Sequence, residues 1–221
     1  MMYTLHAVPD FASLIVHLVL AELDVPHRLA LHDMETGDLQ SPAYLAIHPF
    51  GKIPALETPD GPMFETGAIL LYLAEKHGAL APQAGDPARA AFLSWFVFAN
   101  HNLHTQMMQL IHPYRPGGEE AKALVGPVAH ATLRDQYLAL NAMVARDRPT
   151  WLSADAPSIL SLYLAVILRW TSVFAHDPAL NIPVSDYPAL HAIMAALEAR
   201  PAVQRVAAIE GIGTTPFTKA A

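Results

Sequence analysis

The chain has 221 residues, a net charge of −7 and no cysteine. The acidic balance argues against a nucleic-acid partner held by phosphate neutralisation, and the lack of cysteine excludes disulfides and thiol redox chemistry by the protein's own side chains. No apolar run reaches the ~18 residues of a membrane span, and no basic stretch precedes an apolar one at the start, so a soluble cytoplasmic protein with no membrane contact is expected.

In chain order, Tyr3 to Ala7 reads as a short strand, and Pro9-Asp10 as a turn in which Asp10 is placed to cap the following helix. Leu14, His17, Leu18 and Ala21 share one helical face, which predicts a helix to about Leu23. His27 to Ala30 predicts a second strand, and the polar segment Asp33 to Ser41, with Gly37, a loop. Ala55-Leu56-Glu57 and Pro62-Met63-Phe64 flank Asp60-Gly61, a hairpin signal. A helix from Thr66 to His77 completes the order β-α-β-α-β-β-α, that of an α/β thioredoxin-like domain over residues 1–80. Gly78 to Pro87 is rich in Gly, Pro and Ala, and residues 81–87 are assigned as the linker.

The alanine- and leucine-rich remainder, residues 88–221, predicts an all-α domain. Arg89 to Ile111 is a long amphipathic helix that His112-Pro113 to Gly118 must end. Glu119 to Arg146 is a second, with Gly126-Pro127 a candidate interruption. Ser158 to Phe174, Tyr187 to Arg200 and Pro201 to Glu210 follow, with Pro201 suited to a first helical turn. Gly211 to Ala221 is a tail, ordered only if it folds back on the body.

The segment His48-Pro49-Phe50-Gly51-Lys52-Ile53-Pro54-Ala55-Leu56, followed by Glu65-Thr66-Gly67-Ala68-Ile69, carries most of the functional information. Gly51 permits a tight turn where a Cβ would clash. Pro54 removes a ladder donor, so Ile53 can present its backbone outward. Glu65 and Thr66 precede an apolar run, where a helix start offers free N–H groups to an anion.

This segment resembles the glutathione-binding half-site of the glutathione S-transferase superfamily. The likeness extends over most of the chain and is strongest to bacterial beta-type transferases: Trp95 followed by Leu103-His104, then Trp151, Ser158-Ile159, Tyr163-Leu164 and Leu168-Arg169-Trp170, and finally Arg200-Pro201-Ala202-Val203. The resemblance implies a two-domain fold, a homodimer, and glutathione as cosubstrate. Glutathione would lie along Ala12, Lys52, a cis Ile53–Pro54, Glu65 and Thr66. Glu65 would take the γ-glutamyl amine and Thr66 its carboxylate, the alternative being that both only cap the helix. A hydrophobic electrophile would enter an interdomain pocket lined by Phe11, Met107, Met108, Ile111, Tyr114, Arg115 and Trp170, although methionines more often fill cores.

A conjugating enzyme must lower the thiol's pKa. Ser13 is a candidate donor, alternatively a first-turn structural residue, and His104 a candidate cation or donor on the long helix. Arg169 is expected to form an ion pair within the helical domain. Several positions depart from the beta-type pattern. Ala12 stands in the place of a sulfur-contacting cysteine, Thr105 in that of a lysine and Val97 in that of an asparagine. The loop Asp33 to Gln40 is acidic, and Ser161 replaces a capping Asp, which should weaken the reciprocal cap. Ala12, Thr105, Val97 and the acidic loop favour one rival, a glutathione or hydrophobic-ligand carrier without catalysis; a second rival is a dimeric interaction scaffold without glutathione, against which the retention of Glu65 and Thr66 speaks. His6, His101, His104, His112 and Glu119 show no metal-ligand spacing with a supporting set, so no metal is expected.

Overall fold

The computed structural model describes residues 2–220. Strands β1 (Tyr3–Ala7), β2 (His27–Leu31), β3 (Ala55–Thr58) and β4 (Gly61–Phe64) form one sheet in the order β2-β1-β3-β4. β1 runs parallel to β2, which demands a crossover, and α1 (Ser13–Glu22) supplies it. β3 runs antiparallel to β1, and the β3–β4 hairpin closes where Asp60-Gly61 predicted a turn. A short α2 (Pro42–Leu45), capped by Ser41, leads into the motif segment, and α3 (Thr66–His77) ends the domain. All residues of α1 from Ser13 to Leu20 are buried, because β1, α3 and two helices of the second domain enclose it. The single apolar face expected of α1 is therefore a fully enclosed cylinder.

In the second domain α4 (Arg89–Phe98) and α5 (His104–Ile111) form one rod, joined by a π-type turn over Ala99–Leu103. α6 (Lys122–Asp147) runs through Gly126-Pro127 without the interruption expected there. Pro127 is exposed in the second turn, where it forfeits a single intrahelical bond. α7 (Ile159–Val173) is the spine of the domain, buried from Ile159 to Thr171; α8 (Pro188–Glu198) and α9 (Pro201–Glu210) complete it. Among the described residues no helix is long and apolar enough to cross a membrane.

The weakened cap expected from Ser161 is not found. Ser158 Oγ accepts from the Ser161 amide at 3.1 Å and Ser161 Oγ accepts from the Ser158 amide at 2.8 Å, so serine serves both arms of the box. The tail folds back: Phe217 is fully buried, and the Phe217 and Thr218 amides both donate to Glu198 Oε2 at 3.0 Å.

Two further expectations are corrected at the domain interface. Asp10 does not cap α1, whose N-cap is Ala12 with no side-chain bond. Arg169 pairs across the interface, not within its own domain. It donates to Asp10 through Nε at 3.1 Å and Nη2 at 2.7 Å, and Trp170 Nε1 adds a third bond at 3.0 Å. Asp10 adopts φ +55°, and its amide donates to Glu210 Oε2 at 2.9 Å. Arg169 Nη1 reaches the Pro216 carbonyl, so one buried guanidinium ties together the first loop, the spine and the tail. Arg169→Met should lower stability by about 3 kcal/mol, because it strands a largely enclosed carboxylate. Urea unfolding at neutral pH reads this, and a loss under about 1 kcal/mol would mean that the pair behaves as an exposed one.

Candidate functional site

The β1–α1 loop brings Phe11, Ala12 and Ser13 to the domain interface. Phe11 is exposed, and Ala12 precedes the first turn of α1. Among the described residues no acceptor meets the Ala12 or Ser13 amides; Ser13 is fully enclosed, so the half-buried Ala12 is the one of the two that offers its N–H group to a ligand. The catalytic donor role expected of Ser13 does not fit its position. Ser13 is fully buried; its hydroxyl donates to the Val8 carbonyl at 3.0 Å and accepts from the Val8 amide at 3.2 Å. Both its functions are taken up in closing the loop.

The motif segment forms the next wall. His48 Nδ1 accepts from the Phe50 amide at 3.2 Å, while the His48 carbonyl accepts from Gly51 at 2.9 Å. Burial lowers the His48 pKa, which keeps that nitrogen available as an acceptor. Gly51 has φ +57°, and a Cβ there would lie 2.5 Å from the Leu39 carbonyl, so only glycine fits. Tyr44 donates to the Lys52 carbonyl at 2.7 Å. The Ile53–Pro54 peptide is cis, and the sheet ladder begins only at Ala55. Among the described residues no partner meets the Ile53 amide or carbonyl, which leaves this backbone free to pair with an extended ligand. Lys52 is exposed beside it.

At the start of α3, Glu65 adopts φ +69° and makes no side-chain cap. The capping alternative therefore does not apply to Glu65, whose carboxylate is exposed. Thr66 is buried at the first helical position. A Cβ on Gly67 would lie 2.6 Å from Asn100 Nδ2, so glycine lets the π turn press directly against this helix start. Asn100 Nδ2 donates to the Tyr163 hydroxyl at 3.0 Å, and that hydroxyl lies 2.8 Å from His104 Nδ1.

Burial pushes the Tyr163 phenol up, the Asn100 bond opposes this and the Glu65 charge adds to it, so the phenol stays protonated. Its proton goes to His104 Nδ1, which leaves the imidazole hydrogen on Nε2. Burial lowers the His104 pKa to about 4. The cationic role expected of His104 is thus corrected to that of a neutral donor. Neither Asn100 nor Tyr163 was assigned to the site from the sequence, where nothing marks the π turn that aims Asn100.

The expected pocket residues separate into three groups. Phe11 and Trp170 meet at the interface through Asp10, and the Trp170 ring stands edge-on to His104 at 6.4 Å. Met108 and Ile111 are half-buried on α5, whereas Tyr114 and Arg115 are exposed beyond its end. Met107 is fully buried in the core and does not line a pocket.

A mixed four-stranded domain with a cis proline, followed by a helical domain built on a buried spine, defines the glutathione transferase fold. The first domain carries the family signature: residues 1–75 match the glutathione S-transferase, N-terminal domain. The chain is 29% identical over 212 residues to a glutathione S-transferase of Xanthomonas campestris, covering 94% of this chain and 98% of that one. A Sulfitobacter glutathione transferase homologue solved with bound glutathione superposes with a TM-score of 0.77 at 25% identity, over 94% and 98% of the two chains. The bacterial beta-class glutathione S-transferase of Sphingomonas chungbukensis gives 0.74 at 28% identity, over 95% and 100%. The family likeness read from the motifs is borne out.

Two measurements test the site. Ser13→Ala leaves the buried Val8 amide unpaired, while the Val8 carbonyl keeps its bond from the Phe11 amide, and should cost about 1–3 kcal/mol in chemical denaturation. The folded-state pKa of His104 lies near 4 against an ordinary 6.5, so the unfolded chain binds the proton first. The His104 contribution is therefore intact above the ordinary value and lost as pH falls through that range. A pH series of urea midpoints should decline over this window in the parent and decline less in His104→Gln.

Proposed function

We propose that the protein is a glutathione transferase, in which the glutathione thiolate attacks a hydrophobic electrophile and forms a carbon–sulfur bond. The observation that carries this reading is the free Ile53 backbone beside an uncapped Glu65 at the start of α3. Ile53 would pair with the cysteinyl residue in antiparallel fashion, Glu65 would bind the γ-glutamyl amine, and Thr66 with the α3 amides would bind its carboxylate. Ala12 and Lys52 flank the ligand. The sulfur then lies toward the β1–α1 loop, where the Ala12 amide and the dipole of α1 stabilise the thiolate. Phe11, Met108, Ile111, Tyr114, Arg115 and Trp170 bound the space for the electrophile, with the neutral His104 as a hydrogen-bond donor at its floor.

A homodimer accords with this reading. A groove of about 490 Å³ between α4 and α6, lined by Trp95, Phe98 and Ala139, lies beside exposed Val97 and Leu138. A tripeptide thiol kept reduced accords with a cytoplasmic setting.

The second reading, a carrier that binds glutathione without turning it over, is favoured by the enclosed Ser13 hydroxyl, the neutral His104 and alanine at position 12. Calorimetric titration with glutathione followed by conjugation and peroxide assays separates the two: binding with turnover supports the transferase, and binding without turnover the carrier. Glu65→Gln should weaken binding roughly tenfold to a hundredfold through loss of a charge-assisted bond. An unchanged affinity would remove Glu65 from the site.

A further inference from the structure

Across the sheet edge from α1, four titratable side chains form an unbroken chain that the transferase reading does not use. Glu57 Oε1 on β3 lies 3.1 Å from His6 Nε2 on β1; His6 Nδ1 lies 2.8 Å from His32 Nε2, just beyond β2; and His32 Nδ1 lies 2.7 Å from Asp38 Oδ2. The imidazole rings are stacked with centroids 5.1 Å apart, and the Tyr44 ring stands edge-on to both, at 5.3 Å and 4.8 Å. His6 and Tyr44 are buried.

The proton count decides the state. Three contacts link four ring nitrogens and two carboxylates, and each contact needs one hydrogen. Two neutral histidines carry only two, which leaves either facing lone pairs between the rings or a carboxylate without a donor. Two imidazolium rings carry four, which places two N–H groups head to head across 2.8 Å. Only a pair with one extra proton fills all three contacts.

We infer that this pair is a single-proton binding site that positions the glutathione-docking segment, with His32 as the imidazolium and His6 as the neutral Nε2–H tautomer. Asp38 Oδ1 is enclosed with no hydrogen-bond partner, while the side chain as a whole is half-buried and its other oxygen, Oδ2, meets His32. The hydrogen bond from His32 is also the main reason that the Asp38 pKa is lowered. Burial lowers the His6 pKa, while Glu57 opposes this and Arg28 adds to it, which keeps His6 the neutral member. Glu57, Arg28, Asp38 and Tyr44 are the charged or titratable groups that face the pair from β3, β2, the loop turn and α2.

The link to the docking segment is direct. Tyr44 packs on both rings, its hydroxyl holds the Lys52 carbonyl at 2.7 Å, and Ile53 packs in the same apolar cluster as Tyr44 and Leu39. Loss of the shared proton at higher pH sets lone pair against lone pair. A second proton at lower pH, taken by His6 below its ordinary range, sets hydrogen against hydrogen. Either change pushes His32 from His6 and releases the loop that carries Asp38 and Tyr44.

The inference relies on the transferase reading for its ligand, so the test uses the ligand-free protein. Long-range ¹⁵N spectra of the histidine rings should show three ring hydrogens on the pair at neutral pH, with both nitrogens of His32 protonated. Two neutral rings, or an extra proton seated on His6, would overturn it. Hydrogen exchange at the Ile47, His48 and Gly51 amides, which donate to the Tyr44 and His48 carbonyls, should speed up roughly tenfold in His32→Gln, while α7 amides stay protected. Tyr44→Phe, which keeps the ring packing and drops the Lys52 bond, should speed exchange at Gly51 with the His6–His32 spectrum unchanged. Unaltered exchange in both variants would overturn the positioning role, and a parent that binds no glutathione by calorimetry would count against the transferase reading alone.

Discussion

The site depends on a carboxylate held out of its own domain. Asp10 lies in the loop between β1 and α1, yet among the described residues all its side-chain bonds go to Arg169 and Trp170 on the buried spine of the other domain. A bidentate guanidinium with a third indole bond fixes orientation as well as distance. The left-handed backbone at Asp10 is sustained because Glu210 holds its amide at the same time. Glu210 also accepts from His17 at 2.6 Å, with both side chains enclosed, so the start and end of the chain meet in one buried polar knot. The cleft between the domains is thus a product of their interface, and the loop's geometry is inherited from a helix some 160 residues away in sequence.

With the loop fixed in this way, the chemistry shifts from side chains to backbone. Ser13 closes its own loop and His104 is neutral, so no side chain near the thiol position supplies a positive charge. The Ala12 amide and the dipole of α1 remain, in a setting that excludes much of the solvent and strengthens each dipole. At the other end of the proposed ligand path the order is reversed: the α3 start is crowded by Asn100, and exposed Glu65 and Lys52 supply formal charges of opposite sign. A single hydrogen-bonded line, Asn100 to Tyr163 to His104, joins these two ends beneath the cleft.

The turn that presents Ile53 is supported from both sides. Gly51 allows the approach of the Leu39 carbonyl, His48 closes the turn, and Tyr44 pins Lys52 against the histidine pair. These supports come from the loop between β2 and β3, whose acidic composition reads as a poor anion site in sequence. In the fold Asp38, a half-buried side chain, serves as the partner of His32.

The sequence determined the local elements and the ligand-facing backbone. The bounds of β1, α3 and α9 and the Asp60-Gly61 hairpin follow from residues within a few positions of one another, because caps, turns and periodicity are short-range physics, whereas the cis Ile53–Pro54 bond was expected only from the family resemblance. The roles of Ser13, Asp10, Arg169, His104 and His6 were decided only by tertiary structure. A hydroxyl, carboxylate, guanidinium or imidazole acquires its function from whichever donor or acceptor stands about 3 Å away. In this chain those partners come from the far end of the sequence, from a π turn without a compositional signature, or from a neighbouring strand whose register no local pattern reveals.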